Sequence, residues 1–212
     1  MKGRTLAARV LVPVLAAVAA GCATLSEEEC ALSDWHTIGF EDGSRGYPPE
    51  RLGDHRKACA RHGYVPDFIA YQAGREAGLA HFCQPARGFN LGSAGGQYHG
   101  VCPPDLEPGF LDAYRAGTEL FRLRANVSSV NARLQQQQDE LAQTREAIRE
   151  KQALLVARDT PAEERVLLLA DLEELAEQAG RLEAGIELLI DQRARHEEQL
   201  AAYEASLAGY GY

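Results

Sequence analysis

From Leu120 onward, apolar residues return every seven positions through Val127, Leu134, Leu141, Ile148 and Leu155. A second series runs Leu168, Leu172, Leu175, Ala179, Leu182, Ile186, Leu189, Arg193, His196, Leu200, Tyr203, Leu207, in alternating four- and three-residue steps. Only Arg193 and His196 interrupt its apolar character. Each series is the seam of a coiled coil. Between them, Thr160 is placed as an N-cap, Pro161 suits the first helical position, and Glu163 closes a capping box. Two long helices joined by a tight turn near 158–161 fold back antiparallel. Pairing Leu155 with Leu168 fixes the register: Ile148 meets Leu175, Leu141 meets Leu182, Leu134 meets Leu189, and Leu120 meets Tyr203. The same register sets Gln137 against Ile186, Val130 against Arg193 and Val127 against His196, interruptions that specify pairing at a cost in stability. Each arm reaches about 75 Å at 1.5 Å per residue. So narrow a core stands either as a lone hairpin or covered by a second copy or a partner helix.

Upstream the grammar changes, with the break near Pro103-Pro104. Glycines recur four apart beside aromatics: Gly39 and Gly43, Gly74 and Gly78, then Gly92 and Gly96 followed by Gly100. That spacing puts them on one helix face, where another backbone can approach closely. A helical glycine costs up to about 1 kcal/mol relative to alanine, so such pairs are expected to pack. A phosphate cradle is excluded, because no strand-like run or Gly-Lys-Ser/Thr accompanies them. Start and stop signals predict a short helix capped by Asp34 and helices over Pro49–His62 and Pro66–Phe82, with Gly63 ending the first and Asp67 in the first turn of the second. Residues 84–100 fit helix or loop. The chain is thus expected to be mainly α: a small stapled module over 30–106, a helical hairpin over 107–208 and a short tail at 209–212.

The N-terminus has its own pattern. Lys2, Arg4 and Arg9 precede the apolar run from Val10 to Ala20, and Gly21-Cys22 closes it. A basic start, a short apolar run and small residues before a cut site make a secretory signal peptide. The run is too short to cross a bilayer, which takes about 20 apolar residues. Cysteine directly after the small residues is the bacterial lipobox pattern, in which the thiol receives diacylglycerol, the peptide is cut before Cys22 and the new amino terminus is acylated. Residues 1–21 are then the signal and 22–29 a tether. Cutting after Ala17-Val18-Ala19 by an ordinary signal peptidase, or an uncleaved anchor, are the alternatives. Ala23, where aspartate is the usual inner-membrane retention signal, directs the chain to the outer membrane facing the periplasm.

Composition narrows the partners. The net charge of −9, with no basic stripe, argues against nucleic acid, whose binding rests on neutralising phosphates. It also argues against electrostatic docking on anionic lipid, leaving the acyl chains as the membrane link. Apart from Cys22 the cysteines are Cys30, Cys59, Cys83 and Cys102. An even set in an exported segment predicts two disulfides, with three connectivities open. Metal sites need pairs such as Cys-x-x-Cys, and no two of these four lie closer than Cys83 and Cys102. No cofactor is implied.

Several of these residues fall into an ordered series. Trp35-x-x-Ile38-Gly39-x-x-Asp42-Gly43, then Cys59, then Tyr71-x-x-Gly74-Arg75-x-x-Gly78-Leu79-x-x-Phe82-Cys83, and finally Gly88-x-x-x-Gly92-x-x-x-Gly96-x-Tyr98-x-Gly100-Val101-Cys102 stand in sequence. The series resembles a family of proteobacterial lipoproteins catalogued only as a domain of unknown function. The resemblance covers roughly residues 30–120. It implies an exported, membrane-tethered module and brings no activity or catalytic residues.

Candidate chemistry is sparse. Trp35, Tyr71 and Tyr98 are candidates for lining a ligand groove, and Arg75 for holding an acidic partner, a terminal carboxylate or an ion pair within the module. His55 and His62, seven apart, lack the His-Glu-x-x-His arrangement and read as solvated or capping histidines. Glu41, Asp42 and Asp67 could form a hydrolytic carboxylate pair, but Asp42-Gly43 reads first as a turn or cap. There is no Gly-x-Ser-x-Gly. The leading expectation is a non-enzymatic, lipid-anchored envelope protein whose hairpin reaches an envelope protein or the cell wall, or pairs with a second copy. A small-ligand or glycan-binding module and a cell-wall hydrolase are the alternatives.

Overall fold

A computed structural model describes residues 26–209. The expected signal peptide and Cys22 lie outside the described residues. Within them seven helices follow one another: α1 (Glu27–Leu32), α2 (Trp35–Ser44), α3 (Arg51–Ala60), α4 (Phe68–Phe82), α5 (Pro85–Ser93), α6 (Glu107–Val156) and α7 (Ala162–Leu207). The described chain is all-α, as its pattern predicts.

Local chemistry sets the helix starts. Ser26 and Glu29 form a reciprocal capping box on α1. Asp34 accepts from the His36 N–H at the start of α2. Asp67 is the N-cap of α4 rather than part of its first turn, accepting from the Ile69 and Ala70 N–H groups. Residues 84–100 resolve into α5, with Pro85 in its first turn, and a loop.

The module is built from two similar hairpins. α2 packs on α4, and α5 packs on the first turns of α6. Gly39-Phe40-Glu41-Asp42-Gly43-Ser44 of α2 lines up with Gly88-Phe89-Asn90-Leu91-Gly92-Ser93 of α5. Tyr71-Gln72-Ala73-Gly74-Arg75-Glu76-Ala77-Gly78 of α4 lines up with Phe110-Leu111-Asp112-Ala113-Tyr114-Arg115-Ala116-Gly117 of α6. The contacts repeat with the letters. A Cβ on Gly78 would collide with the Phe40 carbonyl and stand 2.7 Å from the Ser44 nitrogen; on Gly117 it would collide with the Phe89 carbonyl and stand 2.7 Å from the Ser93 nitrogen. After each first helix a left-handed glycine, Gly46 or Gly95, faces the ring of Phe82 or Phe121. Only a residue tolerating positive φ, with no side chain, fits there. The third glycine pair is therefore Gly88 and Gly92, not Gly92 and Gly96.

The disulfides follow the same plan. Cys30 joins Cys59 and Cys83 joins Cys102. Each ties the connection inside a hairpin back to the segment just before that hairpin. In the first hairpin the connection contains α3; in the second it is the loop from Ala94 to Leu106.

Beyond the module α6 continues as one arm of the coiled coil with α7. Every seam position expected on α7 is buried or half-buried. Leu134 and Leu189 share a core with Val130 and Ile186, and the Tyr203 hydroxyl donates to the Ala116 carbonyl at 2.9 Å. The turn differs in detail from the expected capping box. Pro161 itself is the N-cap and makes no side-chain cap bond. The Thr160 hydroxyl instead donates back to the Leu154 carbonyl at 2.7 Å, and Arg165 donates to the carbonyls of Thr160 and Ala157. Arginine thus satisfies the carbonyl of the C-cap of α6 and one in the turn.

Candidate functional site

The most unusual chemistry in the module is a buried polar cluster where α2, α3 and α4 meet. Asp42 is 4% exposed, His55 3% and Tyr71 2%. The Nε2–H of His55 donates to Asp42 Oδ2 at 2.7 Å, and the Tyr71 hydroxyl donates to the same oxygen at 2.8 Å. Arg51 Nε lies 4.0 Å from Asp42 Oδ1, its guanidinium over the Tyr47 ring. Burial opposes the charge on Asp42, but the bonds from His55 and Tyr71 and the neighbouring positive charge outweigh it, holding the carboxyl below its ordinary range. Burial first, and then the Asp42 carboxylate, push the Tyr71 hydroxyl far up. His55 Nδ1 has no hydrogen-bond partner among the described residues.

This cluster corrects the expectation that His55 is solvated or capping and that Asp42 marks a turn. His62 does fit it: partly exposed, it pairs with Glu27 of α1 at 3.6 Å. In the second hairpin Leu91 and Phe110 replace Asp42 and Tyr71. A carboxylate where the sister hairpin carries leucine was the available signal that Asp42 is buried. The difference follows from α3, which only the first hairpin has and which brings His55 to be held. With the three residues almost wholly enclosed, the cluster meets no solvent-borne substrate in this conformation. Its hydrogen bonds tie α2, α3 and α4 together.

The expected binding residues do not gather at one place. Trp35 and Tyr71 belong to one core cluster with Cys30 and Cys59, while Tyr98 packs against another containing Phe110, Cys83 and Cys102. The Tyr98 hydroxyl donates to Glu107 Oε1 and accepts from the Cys102 N–H, each at 2.9 Å. Arg75 donates through Nη2 to the Tyr47 carbonyl at 3.0 Å, and the aligned Tyr114 donates to the aligned Gly96 carbonyl at 2.9 Å. Arg75 therefore performs a packing role that both hairpins share. Asp67 is engaged by the N-terminus of α4. Among the described residues no group of histidine, cysteine or carboxylate side chains is arranged to hold a metal.

Residues 34–119 match the model of a family described as a protein of unknown function (DUF2799). The match begins at the cap of α2, spans both glycine-packed hairpins and ends where α6 leaves the module. No curated protein and no solved structure matches the chain. The match covers the tandem hairpin, and most of the coiled coil lies outside it.

Proposed function

We propose that this is a lipid-anchored envelope protein with a non-enzymatic, partner-binding role, held to the outer membrane through Cys22 and reaching into the periplasm by its hairpin. The observation carrying this reading is the rod itself. Helices of 50 and 46 residues leave the domain as a single antiparallel pair. From Arg122 to Val156 alone it extends about 50 Å at 1.5 Å per residue. A rod of that length places a turn far from its base, which suits reach.

The tip supports a contact role. Leu154, Val156, Val166, Leu167 and Leu169 are all exposed near the turn, and exposed apolar side chains in such number favour an interaction surface there. A glycan-binding role is less well supported, because the rings it needs lie in separate cores. Placing a photo-crosslinking residue at Arg158 in living cells tests the reading. An adduct with an envelope protein or wall fragment is expected from position 158 and not from Arg133, midway along the arm. No adduct from the tip overturns it.

A further inference from the structure

The chain carries its negative charge unevenly. From Arg56 to His62 stand three cations, Arg56, Lys57 and Arg61, and no carboxylate. All three are exposed. The loop that follows leads into α4 and presents apolar side chains outward: Val65 is 82% exposed, Ile69 80% and Phe68 60%, with Tyr64 beside them. Two shallow cavities, of about 430 and 380 Å³, share Arg56 and Val65; Phe68 and Leu52 line one, Lys57 and Tyr64 the other. Of the nearby acids, Asp54 lies 3.8 Å from Lys57, Asp67 caps α4, Glu27 pairs with His62 and Glu29 caps α1, while Glu28 is exposed on α1.

Where the chain emerges decides what this patch faces. The Cys30–Cys59 disulfide and the Glu27–His62 pair fasten α1 beside the end of α3. Cys22 lies five residues before Glu27, a span of at most about 18 Å even fully extended. If Cys22 carries lipid, the bilayer surface is within that reach of Glu27, which pairs with His62 just before the patch. Exposed aromatic and aliphatic residues rimmed by lysine and arginine are the composition that settles into a membrane interface.

We propose that Val65, Phe68 and Ile69, flanked by Arg56, Lys57 and Arg61, form a second, non-covalent contact with the lipid surface in which the Cys22 acyl chains sit. This rests on the anchoring reading above. It revises the expectation that acyl chains alone make the membrane link, because an overall charge conceals a local basic edge. Two contacts fix the orientation of the domain, and hence of its rod, where one flexible tether does not.

The test uses the full chain purified from membranes and reconstituted in phosphatidylethanolamine–phosphatidylglycerol vesicles with brominated acyl chains. Phe68→Trp and, separately, Leu188→Trp supply the probes; both positions are exposed, and unchanged thermal melting confirms that each variant folds. The buried Trp35 gives a constant background. Insertion to the acyl boundary predicts that emission from the indole at position 68 falls at least about two-fold, while emission from the indole at position 188 does not change. The N-terminal mass of the same preparation separates the two ideas. An unquenched probe at position 68 on a chain whose Cys22 is lipidated overturns the patch and leaves the anchor. A quenched probe there on a chain with unmodified Cys22 upholds the patch and overturns the anchor. An unquenched probe with unmodified Cys22 overturns both.

Discussion

Asp42 and Leu91 hold the same place in two successive hairpins, one a buried carboxylate and the other a half-buried aliphatic side chain. The fold does not need charge at this position. It is needed only where α3 crosses and His55 must be fastened. The second hairpin is therefore an internal control for Asp42 and Tyr71, whose places Leu91 and Phe110 take in the same kind of helix pair.

Asp42→Ala leaves two buried donors, His55 Nε2–H and the Tyr71 hydroxyl, without an acceptor. Each stranded donor costs about 1–3 kcal/mol, so the variant should unfold at markedly lower urea concentration. Removing every partner at once, as Asp42→Leu with His55→Leu and Tyr71→Phe, should recover most of that loss, because apolar groups of similar shape need no hydrogen bonds. Urea unfolding of the two variants makes the comparison. A triple variant as unstable as Asp42→Ala would contradict it.

The same cluster gives a pH dependence of definite sign. Asp42 is held below its ordinary range, so the unfolded chain takes up the proton more readily than the folded one. The stabilisation is complete above the ordinary carboxylate value of about 4 and is lost as pH falls through the lowered folded value. Unfolding midpoints measured from about pH 5 down to pH 2 should fall more steeply for the natural chain than for the triple variant.

The glycines divide into two kinds. At Gly39, Gly43, Gly74 and Gly78 an added Cβ would run into the carbonyl of the facing helix, whereas at Gly53 and Gly180 it meets nothing. Gly78→Ala must push α2 and α4 apart and should cost at least about 1–3 kcal/mol, the usual penalty of overpacking. Gly180→Ala, in the middle of α7, should stabilise by about 0.5–1 kcal/mol. Thermal melts of the two single variants should move in opposite directions.

The hairpin was legible in the sequence because one physical rule, burial of a narrow seam, dictates every seventh residue over many turns. Leu134 opposite Leu189 follows from that rule alone. The close helix contacts at Gly39, Gly43, Gly74 and Gly78 were legible for a similar reason, since glycine inside a helix is costly unless a neighbour needs the space. What stayed hidden depends on long-range partners. Cys30 pairs with Cys59 rather than Cys83 or Cys102, and no local pattern states which. His55 looks solvated on its own helix and becomes buried only when Asp42 and Tyr71 arrive from α2 and α4. The turn at Pro161 was missed differently: the Thr160 hydroxyl could cap α7 or bond back to Leu154, and Arg165 closing over the carbonyls favours the second.

The proposed function stands on attachment at Cys22. Mass spectrometry of the N-terminal peptide of the protein taken from its native cells measures that directly. A lipid anchor predicts a peptide that begins at Cys22 and carries a diacylglyceryl thioether and an acylated amine. A peptide beginning at Met1, or a Cys22 with a free thiol, would contradict it.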